Sequence, residues 1–320
     1  MRSKTRIVAK QIRDMIREVS LSNVVQIVTD NAPVYKVAGF LIEAEFSSIY
    51  WTPSVIHTLN LILKDICAAK NTEKNNFVYQ ECSWITQIAE DLLNVAPTQF
   101  VSNIVMLKRF RWLKQGLEEM VISEKWSSYK EDNIGKAEFV TQKILSKNWW
   151  QKNDYILAFT NPIYDVLRST GTDAPILYLV HKMWDLIIKK VKSAIYLYER
   201  KDEQESSSFY NVVRSILVQR WTKSSTPLHC LAHSLNPSHQ WLREDPTRVS
   251  PHQDIEITNE RVKCLKRYFS DEEERRKVNI EFASFSDGRG VFDDYDSLND
   301  RSIVDAKSWW LIHGGKAKFL

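Results

Sequence analysis

Glycine is scarce in this chain, with 8 among 320 residues against a usual share of about 7%. That shortage disfavours folds built on many tight turns. No G-x-G-x-x-G and no G-x-x-x-x-G-K-[ST] occurs, which excludes cradling a nucleotide with a glycine loop. Cysteine is also sparse. Cys67, Cys82, Cys230 and Cys264 form neither a C-x-x-C pair nor zinc-finger spacing, and four in a chain this long make no disulfide framework. There is no N-x-[ST] sequon, no apolar signal core in the opening residues and no apolar run of membrane-spanning length. These absences predict a nuclear or cytoplasmic protein that is not secreted, with no membrane partner and no small-molecule substrate.

Charge of one sign is missing as well. Lys and Arg number 44 against 40 Asp and Glu, a net charge of +4. All of that excess lies in residues 1–20, where Arg2, Lys4, Arg6, Lys10, Arg13 and Arg17 face only Asp14 and Glu18. A basic first helix could meet phosphate, but a solvated helix face is the favoured reading. The global charge is too weak to argue for nucleic acid.

What the chain does have is 43% hydrophobic and 26% charged residues, enough to bury a core and stay folded. Ile7, Val8, Ile12, Met15, Ile16 and Val19 recur at helical spacing, so residues 3–19 predict an amphipathic helix. Val24 to Thr29, ending at Asp30, is a β-branched run that suits a parallel strand buried on both faces. A helix over about 34–46, a strand at Ile49–Thr52 and a helix from Ser54 to Ala69 follow. Strand, helix, strand, helix is the pattern of an α/β sheet. Beyond about residue 77 the pattern changes to helices at 98–122, 136–146, 152–169, 175–200 and 208–222. Thr226-Pro227 opens another helix, and Ser270 with Glu273 makes a capping box for one ending near Phe282. The expected class is α/β plus all-α. Its divisions are an α/β segment over 1–76, a helical region over 77–300 and a returning stub over 301–320.

Asp30 ends the strongest strand, where ligands gather in open α/β sheets. Position alone leaves two readings open: a metal-binding carboxylate, or a cap for the helix that follows. Lys108, Arg109, Arg111 and Lys114 surround Phe110 and Trp112, the best local nucleic-acid patch, with cations for phosphate and an aromatic for stacking, although a solvated helix face is the favoured reading of these residues too. Most of the 11 tryptophans read as apolar bulk in helix seams. His229 and His233 share a helix face beside Cys230, but packing explains them without a zinc ion.

The run Asn23 to Ala32, then Lys36, Ala38-Gly39 and Trp51-Thr52-Pro53-Ser54-Val55-Ile56-His57-Thr58-Leu59, resembles the core of plant hAT-superfamily transposases. The likeness continues through Thr98 to Ser102, Leu107, Leu235-Asn236-Pro237, and Trp309-Trp310 with Gly314. The resemblance implies a partial ribonuclease H-like sheet interrupted by a large helical insertion. In an intact relative it implies two-metal strand transfer, in which three carboxylates share Mg²⁺ or Mn²⁺ ions about 4 Å apart. Asp30 matches the second Asp of that set, and His57 matches the His of a C-x-x-H motif whose Cys is Ser54 here.

The departures are as informative. No counterpart of the first Asp occurs in residues 1–23, the third carboxylate would follow beyond Leu320, and the family's T-R-[FW] reads Thr98-Gln99-Phe100. We therefore expect a degenerate hAT-type fragment, cut short at both ends, with Asp30 and His57 vestigial. Such a chain would be catalytically inactive and hold no cofactor. Its expected partners are DNA and copies of itself or related transposase chains. The alternative is a protein-interaction or dimerisation scaffold built on the helical insertion. An active metal nuclease would need carboxylates such as Asp14, Glu43 or Asp65 to converge on Asp30. A strand at Val24–Thr29 short of neighbours would expose an apolar edge and lower solubility.

Overall fold

The computed structural model describes residues 2–66, 100–128, 134–171, 175–238 and 249–320. The described chain is mostly helical, with one two-stranded parallel sheet near its start. It divides into two compact units. The first comprises Met1–Ser54, Asp173–Met183 and Ser224–Leu320, and the second Val55–Thr172 and Trp184–Lys223. The expected boundary at 76/77 lies outside the described residues. No described helix is long and apolar enough to cross a membrane.

The first unit opens with α1 (Arg2–Val19), whose Thr5, Ala9 and Ile16 are buried. Ala9 and Ile16 join Ala38 and Ile42 of α2 (Pro33–Glu45) and Ile49 in one apolar cluster. Strands β1 (Gln26–Thr29) and β2 (Tyr50–Pro53) flank α2 in sequence and pair in parallel, Gln26 opposite Tyr50 and Thr29 opposite Pro53. This parallel pair joined by a helix is the arrangement that the alternating pattern predicts. The expectation that β1 is buried on both faces is not met. Val28 is 55% exposed, whereas Tyr50 and Trp51 of β2 are buried. Among the described residues β1 has a strand on one side only, so its continuous apolar run is not matched by continuous cover.

Tyr50 links the sheet to later helices. It packs with Leu228 and Leu231 of α11 (Pro227–Ser234), Cys264 and Leu265 of α12 (Ile255–Tyr268) and Val278 of α13 (Glu272–Asp287). Arg267 reinforces this contact. Its guanidinium lies 3.9 Å from the Tyr50 ring centroid, pairs with Glu43 at 2.7 Å and donates to the carbonyls of Ser47 and Ile49 at 2.5 and 2.6 Å. Phe282, Phe285, Phe292 and Trp309 form a second cluster. The cap of α13 is Asp271, accepting from the Glu274 amide at 2.7 Å, one residue beyond the expected Ser270 and Glu273. Both registers offer an oxygen three residues ahead of a Glu, and the helix takes the carboxylate, the better partner for its N-terminal dipole.

The second unit contains α3 (Val55–Ile66), α4 (Phe100–Trp112), α5 (Lys114–Ile122), α6 (Glu124–Ser128), α7 (Ile134–Leu145) and α8 (Lys147–Thr170). Most of α9 (Val180–Glu199) and α10 (Ser208–Ser224) completes it. Helix α3 buries Leu59, Ile62, Leu63 and Ile66, and its Asp65 receives Arg220 of α10 at 2.5 Å. The helix expected over 98–122 breaks at Leu113, whose ψ of 3° departs from helical geometry. The one expected over 152–169 begins five residues earlier, because Ser146 accepts from the Trp149 amide at 3.2 Å and starts the turn there.

Candidate nucleic-acid interface

Helix α4 carries the predicted patch and α8 packs against it. Ile104, Met106 and Leu107 are buried, and Lys108 and Arg111 follow at three and four residues, so they share the packed face. Together with Trp112, and with Asp154, Leu157, Ala158 and Asn161 of α8, they line an open groove of about 680 Å³. Arg109 falls on the opposite side of α4 and is exposed. Lys114 opens α5, 3.8 Å from Glu118 and 5.2 Å from the Trp150 ring centroid, and does not line the groove.

The groove is not simply basic. Arg111 pairs with Asp154, and Lys108 lies 3.9 Å from Asp165 and 3.8 Å from the ring centroid of Tyr164. Burial draws the Lys108 ammonium below the usual lysine range, Asp165 opposes that, and Arg168 adds to it. Asn161 contributes a buried Oδ1 with no hydrogen-bond partner among the described residues. Pro162 lies inside α8 and has no amide hydrogen, so the carbonyl of Ala158 lacks the donor that an ordinary residue four positions on would supply. Trp112 is 84% exposed over this mixture, while Leu157 is buried. Donors from α4, acceptors from α8, an aromatic shelf and an apolar floor therefore converge.

The remaining tryptophans of this region pack as the apolar reading expects. Trp149 and Trp150 are buried with ring centroids 4.6 Å apart, and the Trp150 indole donates to the Ile144 carbonyl at 2.7 Å. Trp126 donates to Thr141 Oγ1 at 2.9 Å, and Trp184 lies 5.2 Å from Trp221.

Asp30 and His57 belong to different compact units. Asp30 follows β1 and is exposed, and its Oδ1 accepts the Ala32 amide at 2.9 Å, a local turn at the entrance of α2. That is close to the capping alternative, although Ala32 occupies the cap position itself. His57 is half-buried in the first turn of α3. The other carboxylates considered have cationic partners: Asp14 lies 3.6 Å from Arg17, Glu43 pairs with Arg267 and Asp65 with Arg220. Among the described residues no three His, Cys, Asp or Glu side chains are grouped to hold a metal ion. A two-metal centre does not fit this donor set.

Sequence spacing also misses a histidine cluster in the first unit. His181 stacks on His233 with ring centroids 4.9 Å apart, and His181, His229 and His233 are all buried. Nδ1 of His229 accepts the Thr226 amide at 3.1 Å, closing the first turn of α11. Burial lowers the His229 pKa to about 4; the Thr226 contact opposes that and His181 adds to it. His181 lies far from α11 in the sequence, and no local pattern announces the pairing.

Residues 1–95 match the family described as a domain of unknown function, DUF659, which is associated with hAT transposases. Comparisons with curated proteins and with solved structures give no match.

Proposed function

We propose that this chain is a hAT-transposase-related protein that does not perform strand transfer and that holds nucleic acid in the groove between α4 and α8. The observation that carries the binding reading is the convergence of Lys108, Arg111 and a Trp112 that is 84% exposed on one groove of about 680 Å³. The acids in that groove refine the ligand. Asp154 repels phosphate but accepts from an exocyclic amine, as does the Ala158 carbonyl, so the groove suits an unpaired nucleobase stacked on Trp112. The parallel pair β1 and β2 around α2 is compatible with one edge of a ribonuclease H-like sheet.

The inactive reading is supported by the dispersal of the carboxylates into ion pairs and by the turn that occupies Asp30. Titration with Mn²⁺ should give no submillimolar binding, and Asp30→Ala should leave the titration unchanged. Tight binding lost in that variant would overturn it. The groove is tested by fluorescence anisotropy with a single-stranded oligonucleotide. Trp112→Ala should weaken binding by about 1–3 kcal/mol, the usual contribution of a stacked base. Equal affinity in parent and variant refutes the assignment.

A scaffold role rests on a different observation. Helix α2, outside the helical insertion on which the sequence places a scaffold, exposes Val37, Phe40 and Leu41 on one side, apolar area of the kind that mediates protein contacts. Concentration-dependent size in solution, without oligonucleotide binding, would favour that role instead.

A further inference from the structure

We infer that α1 is a docking surface for the phosphate backbone of double-stranded DNA. Arg6, Lys10, Arg13 and Arg17 recur at steps of four, three and four, which places them in one stripe along the helix. At a rise of about 1.5 Å per residue the stripe runs for roughly 16 Å. Arg6 and Lys10 are exposed and have no acidic partner among the described residues. Arg13 is held by Glu45 at 2.6 Å, and Arg17 lies 3.6 Å from Asp14 with most of its side chain in solvent. Thr5, Ala9 and Ile16 are buried on another face, and Ala9 and Ile16 pack with Ala38 and Ile42 of α2. That packing fixes the rotation of the helix and keeps Arg6, Lys10 and Arg17 outward, while Arg13 is turned to Glu45 of α2. The excess positive charge of the whole sequence falls in residues 1–20, which favours a polyanion at α1.

The stripe selects among polyanions. A membrane-surface helix needs a continuous apolar face free for lipid; here Ala9 and Ile16 are packed in the unit, and the exposed Ile7, Met15 and Val19 are interleaved with Lys4, Gln11, Asp14 and Glu18. A groove for single strands needs aromatic rings on which bases stack, and residues 2–19 contain no Phe, Tyr or Trp. Evenly spaced cations on a rigid rod suit a stiff, regular duplex, whose phosphates can be met without reading bases. The choice of DNA over RNA rests on the transposase-related reading above; the backbone contact does not.

The test uses the full chain and fluorescence anisotropy with DNA and RNA duplexes of about 20 base pairs, between about 50 and 200 mM salt. Arg6→Gln with Lys10→Gln keeps good helix formers at exposed positions. This pair should weaken duplex DNA binding roughly tenfold and reduce the slope of log K against log salt by about 1.8, the loss of two phosphate contacts. Arg6→Lys with Lys10→Arg should bind as the parent does. Unchanged affinity and slope in the neutralised pair, or no duplex binding by the parent at low salt, would overturn the inference. Tighter binding of duplex RNA than of DNA would overturn the DNA assignment and count against the transposase-related reading. The groove is scored separately, because its single-strand binding should depend on Trp112 and survive neutralisation of Arg6 and Lys10.

Discussion

Alanine in place of Gly39 should destabilise the protein even though alanine is the better helix former. Gly39 lies inside α2 where the helix crosses Trp51 of β2. A Cβ there would sit 2.2 Å from Trp51 Cδ1, 2.3 Å from Cγ and 2.5 Å from Nε1. The indole has little room to retreat. It is buried, its Nε1 donates to Thr29 Oγ1 at 2.8 Å, and its ring meets Phe40 edge-on at a centroid distance of 5.0 Å. Removing a mid-helix glycine gains about 1 kcal/mol. Forcing a methyl into a packed seam costs about 1–3 kcal/mol, and loss of the indole hydrogen bond adds about 1 kcal/mol. The net expectation is a loss of about 1–3 kcal/mol. Gly116 is the internal control, since a Cβ there meets no atom within 4 Å. Gly116→Ala should stabilise by up to about 1 kcal/mol, so one substitution should give opposite signs at two helical glycines. Urea unfolding followed by circular dichroism reads both as shifts of the midpoint. Gly39→Ala with a midpoint at or above that of the parent would refute the steric argument. Trp51→Leu combined with Gly39→Ala should recover part of the loss, as expected for residues in contact.

Arg267 and His229 give two further tests. Arg267→Ala removes the Glu43 ion pair and two carbonyl contacts at a partly buried site and should cost about 3 kcal/mol, with Arg267→Lys recovering only part because an ammonium cannot reproduce the fork. Thermal melts of the three proteins check this, and an alanine variant as stable as the parent sinks it. For His229 the folded pKa of about 4 lies below the usual 6.5, so the unfolded chain binds the extra proton between those values. Stability is therefore complete above about pH 6.5 and falls by about 3 kcal/mol as the pH drops towards 4. His229→Gln should remove that part of the acid sensitivity in urea midpoints measured across this range, whereas an identical decline in the variant would show that other groups are responsible.

The order α1, β1, α2, β2, α3 is legible in the sequence because each element announces itself locally. Ile12 and Ile16 recur at helical spacing, Ile27 and Val28 are β-branched, and Pro33 sets the start of α2. The features that stay hidden depend on residues far away. Nothing in Gln26–Thr29 tells that the strand receives one neighbour among the described residues, so its apolar run reads as doubly buried while Val28 is half in solvent. The break at Leu113 has no Gly or Pro to mark it, and Pro162, which should mark one, is accommodated within α8. His181 reaches His233 only through the packing of the segment before α9 against α11.

The same non-locality reverses the meaning of the two basic segments. Read along the chain, Lys108, Arg109, Arg111 and Lys114 are the stronger phosphate patch, because an aromatic pair accompanies them. In three dimensions Asp165, Asp154 and Glu118 lie beside three of those four cations. Much of the field that would attract a phosphate is cancelled at short range, and what remains is the hydrogen-bonding groove and its exposed indole. Along α1 the charges read as an ordinary solvated face, yet tertiary packing leaves Arg6 and Lys10 without acidic partners among the described residues and engages Arg13 through Glu45. A cationic run thus acts on a polyanion in proportion to the charge left after its tertiary neighbours are paired. By that measure the proposed backbone contact is better placed on α1, and the proposed base recognition in the groove beside Trp112.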